Sequence, residues 1–335
     1  MKISASIYSG KDKELSDLVR ELDAYRINYF HVDCNDNPDV FEDIRLIRSL
    51  SRTPVDMHLI SPVPGNYWEH IRDAGVELLT LQYENLQAKP MIPAWLNLQK
   101  GLSLTSSTPV EVFDEYRDSF DFVLFMTTTP GQSGGSFNSE TFRRIRKFRS
   151  RYPEKKIHVD GGINAEVSFI LRNMGVETAV IGSYLFKGEF IGSAVLRLRS
   201  DDIESRYCVR DFMLQADEVP VIREDEMDFR RVLESIDHYR MGFTMVAGAD
   251  GKLTGIISNA DLRKALLCRI DDLNRIDVGA MVNRQPAFAY EDMNVSEMLN
   301  YIKSLPFPVL FLPVVNHSGK ITGTIKFNNL IKGES

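Results

Sequence analysis

Short apolar runs and amphipathic stretches alternate along the first 199 residues. Strand-like runs are predicted at 2–8, 29–34, 54–60, 78–83, 97–104, 122–128, 156–160 and 178–183. Between most of them apolar positions recur at helical spacing, as in SETFRRIRKFRSRY (139–152) and NAEVSFILRNMG (164–175). Strands alternating with helices pair in parallel. Eight of them within 199 residues predict a closed (β/α)8 barrel, a TIM barrel. An open doubly wound sheet is the alternative. One connection breaks the pattern: ENLQAKPMIPAWL, after the fourth strand, has two prolines and little room for a helix.

From Tyr207 onward the pattern repeats. GKLTGIISNADL opens at Gly251 and GKITGTIKFNNL at Gly319, 68 residues later. Met213 and Met281 stand at the same separation, so two tandem copies of one module are predicted, at about 207–270 and 275–335. The polar stretch RSDDIESR (199–206) reads as a linker, which sets the domains at 1–199 and 207–335.

Composition narrows the class. The chain is 43% apolar and 26% charged over 335 residues, with no run near the length of a membrane-spanning helix. A net charge of −7 lacks the basic footprint of a nucleic-acid binder. Cys34, Cys208 and Cys268 are too few and too scattered for a disulfide framework. The first residues enter a strand pattern directly, without a signal-like segment. A cytoplasmic protein is expected.

Polar residues intrude at the ends of several strands. In FHVDCND, His31 and Asp33 are two apart and so share one face of a strand. VDMHLI places His58 at the end of the third strand, and IHVDGGIN places Asp160 at the end of the seventh. A barrel brings the carboxyl ends of all its strands to one face, where these four side chains could surround a divalent cation. On the residues alone, a hydrogen-bonded structural histidine and a helix-capping aspartate serve equally well.

The motifs ISASIYS (3–9), HVD (31–33), DMHL (56–59), VLFMTTTPG (123–131), VDGGIN (159–164) and IGSYLF (181–186) resemble, in order and spacing, those of the ribulose-phosphate 3-epimerase family across residues 1–199. The resemblance implies a metal (Zn, Mn, Fe or Co) held by His31, Asp33, His58 and Asp160, with Ser6 against the substrate and Met126 beside the metal. It implies a carbohydrate isomerase: a ketose phosphate loses the proton beside its carbonyl and regains one on the other face, Asp33 and Asp160 alternating as base and acid. The phosphate is expected on the glycine loops after strands seven and eight, at Gly161, Gly162, Gly182 and Ser183. The loop PGQSGGS (130–136), with Gly131 and Gly134, is expected to fold over the sugar.

The chain departs from the family at Gln132, where phenylalanine is usual, and at Gly135, usually glutamine. Asn35 and Ile60 stand in place of methionines, Asn37 in place of a glycine, and Gln82 in place of a common histidine. These positions surround the sugar, so the substrate is expected to differ from ribulose 5-phosphate more than the chemistry does. A different aldose–ketose isomerase would use the same intermediate.

The tandem module resembles the paired CBS domain (an α+β Bateman module), whose copies pack together and often bind adenosine nucleotides. The family's pattern stands as GIISNAD, with Gly255, Ser258 and Asp261 toward an adenosine nucleotide or nucleotide sugar. The second copy has Lys326 and Asn329 at the corresponding places. Regulation and simple dimerisation are both consistent with such a pair, and a homodimer or larger assembly is expected. Two readings from other classes remain. One is an inactive barrel serving a sensor of nucleotides or sugar phosphates. The other is a metal-dependent hydrolase, disfavoured because Tyr8 and Gly10 offer no His-x-His on the first strand.

Overall fold

All eight predicted strands form, and they close on one another. In the computed structural model, which describes residues 1–128, 135–188, 190–200 and 206–327, β1 (Lys2–Ser6), β2 (Tyr29–Cys34), β3 (Val55–Leu59) and β4 (Leu78–Gln82) are followed by β5 (Gln99–Leu104), β6 (Phe122–Met126), β7 (Lys156–Asp160) and β8 (Thr178–Ile181). They run in sequence order, and β8 pairs in parallel with β1 to complete the barrel.

Strand alternation divides the side chains. Phe30, Val32, Met57, Leu59, Val123, Phe125, Ile157 and Val159 occupy one set of alternate positions and are buried beneath the outer layer. Burial of such a side chain contributes roughly 1.5–3 kcal/mol. The outer layer comprises α1 (Leu15–Ala24), α2 (Val40–Leu50), α3 (Trp68–Asp73), α4 (Glu140–Arg151), α5 (Ala165–Asn173), α6 (Ser183–Phe186) and α7 (Ile191–Arg199). In α2, Val40, Phe41, Ile44 and Ile47 form the buried stripe that its helical spacing predicts. Two crossovers lack an α-helix. After β4 there is a 3-10 turn at Tyr83–Asn85, and after β5 another at Val110–Glu115.

The other set of alternate positions points into the barrel. At its base Phe122 stacks on His158 with ring centroids 3.9 Å apart. Gly101 makes that layer possible, since a Cβ there would lie 2.0 Å from the Phe122 ring. Above this packed layer the interior mixes the apolar cluster of Leu124, Met126 and Val180 with polar side chains such as Ser4, His31 and His58.

The chain divides into two compact units, Met1–Ile203 and Glu204–Ile331. The second unit contains α8 (Val209–Phe212), β9 (Leu214–Gln215), β10 (Val221–Arg223), α9 (Phe229–Tyr239), β11 (Phe243–Ala247), β12 (Leu253–Ser258) and α10 (Asn259–Cys268). It continues with β13 (Ala289–Tyr290), α11 (Val295–Ser304), β14 (Phe311–Val315) and β15 (Ile321–Lys326). Its sheets have the orders β10-β11-β12 and β13-β14-β15-β9.

The sequence repeat is a structural one. Phe243 and Phe311, equivalent positions of the two copies, stack with centroids 3.6 Å apart and planes 3° from parallel. Leu253 N donates to Gly319 O at 3.0 Å, and Ile321 N donates to Gly251 O at 3.1 Å, a reciprocal pair. The copies also exchange strands. β9, from the first copy, pairs with β15 of the second, while Asn283 bridges back to Ile256 in β12. Glycine is required at each crossing: a Cβ on Gly255 would lie 2.7 Å from Asn283 O, and one on Gly323 would lie 1.9 Å from Leu214 O.

Candidate metal centre and substrate pocket

Parallel register assembles the site from two adjacent strands. His31 lies beside Asp56, and Asp33 beside His58, so four inward positions of β2 and β3 form a block of two imidazoles and two carboxylates. Asp56 stands two residues before His58, on the same face.

Hydrogen bonds set the tautomer of each ring. His31 Nδ1 donates to Asp56 Oδ2 at 3.0 Å, and the same oxygen accepts from Ser4 Oγ at 2.7 Å. A carboxylate only accepts, so Nδ1 carries the proton, and in the neutral ring Nε2 keeps its lone pair. His58 Nε2 lies 2.9 Å from Gln82 Oε1, again an acceptor, which leaves Nδ1 bare. His31 Nε2 and His58 Nδ1 are both buried without a hydrogen-bond partner. Each is 3.4 Å from Asp33 Oδ1. Donor atoms of His31, Asp33 and His58 all lie within 4.8 Å of one another. Two bare imidazole nitrogens and one carboxylate oxygen aimed at a common point fit a divalent transition metal.

Electrostatics agree with that fit. Burial alone would lower the His31 pKa, but Asp56 and Asp33 outweigh it and raise the pKa well above the ordinary value. The ring therefore sits in a field that favours a cation. Burial likewise works against the Asp33 and Asp56 carboxylates, yet His31 holds both below their usual range.

Asp160 is outside that group of three. It comes from β7, and burial pushes its carboxyl up to about 6, with Asp33 and Asp56 adding to the rise and the two histidines opposing it. Asp33 and Asp160 both line a cavity of about 460 Å³ at the carboxyl ends of the strands. The predicted Ser6, Met126, Gly161, Gly162, Gly182 and Ser183 also line it. Gly131 and Gly134, with most of the predicted covering loop, lie outside the described residues.

Gly162 has φ +62, and a Cβ there would lie 2.2 Å from Phe137 N, so position and conformation both demand glycine. The loop runs into α5, where Asn164 caps the first turn by accepting from Val167 N at 2.9 Å. Tyr8, Lys11 and Tyr184 line the pocket without having been foreseen. Lys11 lies in the mixed stretch GKDKE, whose charges look like an ordinary solvated surface. Asp56 and Gln82 were also missed as supports of the histidines. The signal for Asp56 was the two-residue spacing that had already linked His31 to Asp33.

In the second unit, a cleft of about 560 Å³ is lined by Ser258, Asp261 and Lys326 together with Phe307 and Phe311. Gly255 is not among its lining residues; it serves the strand crossing described above. Ser258 and Asp261 also form a capping box on α10, in which Ser258 N donates to Asp261 Oδ2 at 2.9 Å.

The architecture is that of a (β/α)8 barrel with a His, His, Asp cluster beside a polar pocket at the carboxyl ends of its strands. Residues 2–186 match the ribulose-phosphate 3 epimerase family, and the chain belongs to it. Its relatives include ribulose-phosphate 3-epimerase of Schizosaccharomyces pombe, 26% identical over 217 residues, covering 61% of this chain and 95% of that protein. The Bacillus subtilis enzyme of the same name is 27% identical over 206 residues, covering 56% and 92%. Solved structures similar to the C-terminal region include the CBS-pair protein CBSX2 from Arabidopsis thaliana, 21% identical with a TM-score of 0.32, covering 38% of this chain and 94% of that one. Another is CBSX2 in complex with AMP, 22% identical with a TM-score of 0.32, covering 38% and 96%. None of the described helices is long and apolar enough to cross a membrane.

Proposed function

We propose that the barrel is a metal-dependent ketose-phosphate 3-epimerase. The observation that carries this reading is the convergence of two buried, unpartnered imidazole nitrogens on Asp33, in a pocket that Asp160 also lines. His31, Asp33, His58 and Asp160 would hold Zn, Mn, Fe or Co, which when bound supplies Lewis-acid stabilisation of oxyanion charge, worth several kcal/mol.

The chain's own residues do the rest. Asp33 on β2 and Asp160 on β7 enter the pocket from separate strands and would flank the sugar. One takes the proton from the carbon beside the carbonyl; the other delivers a proton to the opposite face, so the centre inverts with no net change in protonation. Ser6 and Met126 would contact the sugar, and the loops at Gly161, Gly162, Gly182 and Ser183 would receive its phosphate through backbone N–H groups. Asp33→Asn and Asp160→Asn should each abolish turnover while thermal unfolding and far-UV circular dichroism stay close to wild type. Either variant turning over at near-wild-type rate contradicts the two-carboxylate mechanism.

For the second unit the proposal is a nucleotide or nucleotide-sugar site, which would regulate the enzyme, in a module that also brings chains together into a homodimer or larger assembly. Ser258 and Asp261 offer hydroxyl and carboxylate partners for a ribose, and Lys326 offers a cation for a phosphate, within one cleft. Calorimetric titration with AMP, ATP and uridine diphosphate sugars should give binding that Asp261→Ala weakens at least tenfold. Absence of binding across the set leaves the module a purely structural one. Three unpaired cysteines fit a reducing compartment such as the cytoplasm.

A further inference from the structure

A chain of polar contacts leads away from the metal centre through a residue where the chain departs from its family. His58 Nε2 meets Gln82 Oε1 at 2.9 Å, and Gln82 Nε2 donates to Glu84 Oε2. The other Glu84 oxygen, Oε1, accepts from Thr105 N and Thr105 Oγ1, both at 2.8 Å, and from Thr108 Oγ1. Gln82 is buried at 1% exposure, so it has no water shell in which to reorient.

We propose that Glu84 is a positioning residue for the metal centre: through the Gln82 amide it dictates which nitrogen of His58 is bare. The inference rests on the metal-centre reading above. An amide presents oxygen on one side and N–H on the other, so Gln82 alone could offer either to His58. If it offered N–H, His58 Nε2 would accept and the ring proton would move to Nδ1, the atom facing Asp33. A proton there blocks coordination.

Glu84 removes the ambiguity because a carboxylate accepts only. It takes the Gln82 N–H and leaves Oε1 as the one group that can face His58. Burial favours the neutral acid form of Glu84, but hydrogen bonds from Thr108, Thr105 and Gln82 outweigh it and hold the carboxyl below its usual range. Orientation is fixed as well: three donors from the segment after β5 anchor one Glu84 oxygen, so the other cannot turn away from Gln82.

The test exploits the near-identity in shape of glutamate and glutamine. Glu84→Gln keeps its Oε1 on the three threonine-segment donors and turns an N–H toward Gln82. Two N–H groups then oppose, Gln82 flips, and His58 should change to the Nδ1–H tautomer. The double variant Gln82→Glu with Glu84→Gln reverses the two groups but again places an acceptor against His58 Nε2, so it should restore the wild-type tautomer.

Long-range 15N–1H NMR on metal-free, full-length protein labelled at histidine reads the tautomer of His58 directly. His158, packed on Phe122 at the base of the barrel, is the internal control for folding. Metal competition against a chromogenic chelator should show a roughly 10–100-fold affinity loss in Glu84→Gln, the usual size of an outer-shell effect, and recovery in the double variant. An unchanged His58 tautomer and affinity in Glu84→Gln, or a double variant no better than the single, overturns the proposal. Absence of epimerase turnover leaves these readouts intact, so failure of the enzymatic reading is separately visible.

Discussion

At the residue scale, the centre depends on side chains that ligate nothing. Asp56 is 2% exposed, and its partners His31 and Ser4 both donate to one oxygen, so it is a carboxylate buried for the sake of what it orients. An isolated charge in that position would cost several kcal/mol. Asp56→Asn keeps an acceptor within reach of His31 but removes the charge. It should weaken metal binding by roughly 10–100-fold in a chelator competition, as outer-shell substitutions do. Affinity within twofold of wild type would show that Asp56 only fills space. The placing of His31 with Asp33 was legible in the sequence because a two-residue spacing on a strand puts both on one face. The supports were less legible. Asp56 followed the same rule and was passed over beside its histidine, while the roles of Gln82 and Glu84 depend on amide orientation and on contacts from the segment after β5, which spacing does not encode.

At the element scale, every predicted strand is present, and its ends shift for local reasons. The first strand stops at Ser6, short of the predicted Tyr8, because Ile7–Ser9 turn into a 3-10 helix that brings Ser9 Oγ within 3.2 Å of Ser6 Oγ. The prolines at 90 and 93 did mark a crossover without an α-helix. The crossover after β5 carried the weaker signal SSTP (106–109) and was not singled out. In the second unit the repeat was visible as 68-residue spacing, but the exchange of β9 and Asn283 between copies was not, since a two-residue strand has no period to detect. The Phe243–Phe311 stack ties the copies together with both rings in face-to-face contact. Phe243 is fully buried, so Phe243→Ala should destabilise the second unit by about 3–5 kcal/mol. Urea unfolding followed by hydrogen exchange should locate that loss in Glu204–Ile331; a loss below about 1 kcal/mol would mean the stack is incidental.

At the scale of the whole molecule, a barrel of the ribulose-phosphate 3 epimerase family is followed by a tandem module that its epimerase relatives are too short to contain: the Schizosaccharomyces pombe protein is covered over 95% of its length by 61% of this chain. Fold and family were legible because six motifs lie in order along the barrel; the identity of the sugar was not, because spacing does not encode the shape of the pocket, to which Tyr8, Lys11 and Tyr184 contribute without a motif to mark them. The proposed epimerase moves the proton beside a ketose carbonyl. The most direct measurement is solvent exchange. Metal-loaded protein in deuterated water is incubated with a panel of pentulose 5-phosphates and hexulose 6-phosphates, and deuterium at C3 is followed by NMR. Incorporation of deuterium together with appearance of the C3 epimer is the predicted result, and it names the substrate. Full metal occupancy with no exchange from any member of the panel would contradict the account and favour a barrel that binds without turning over.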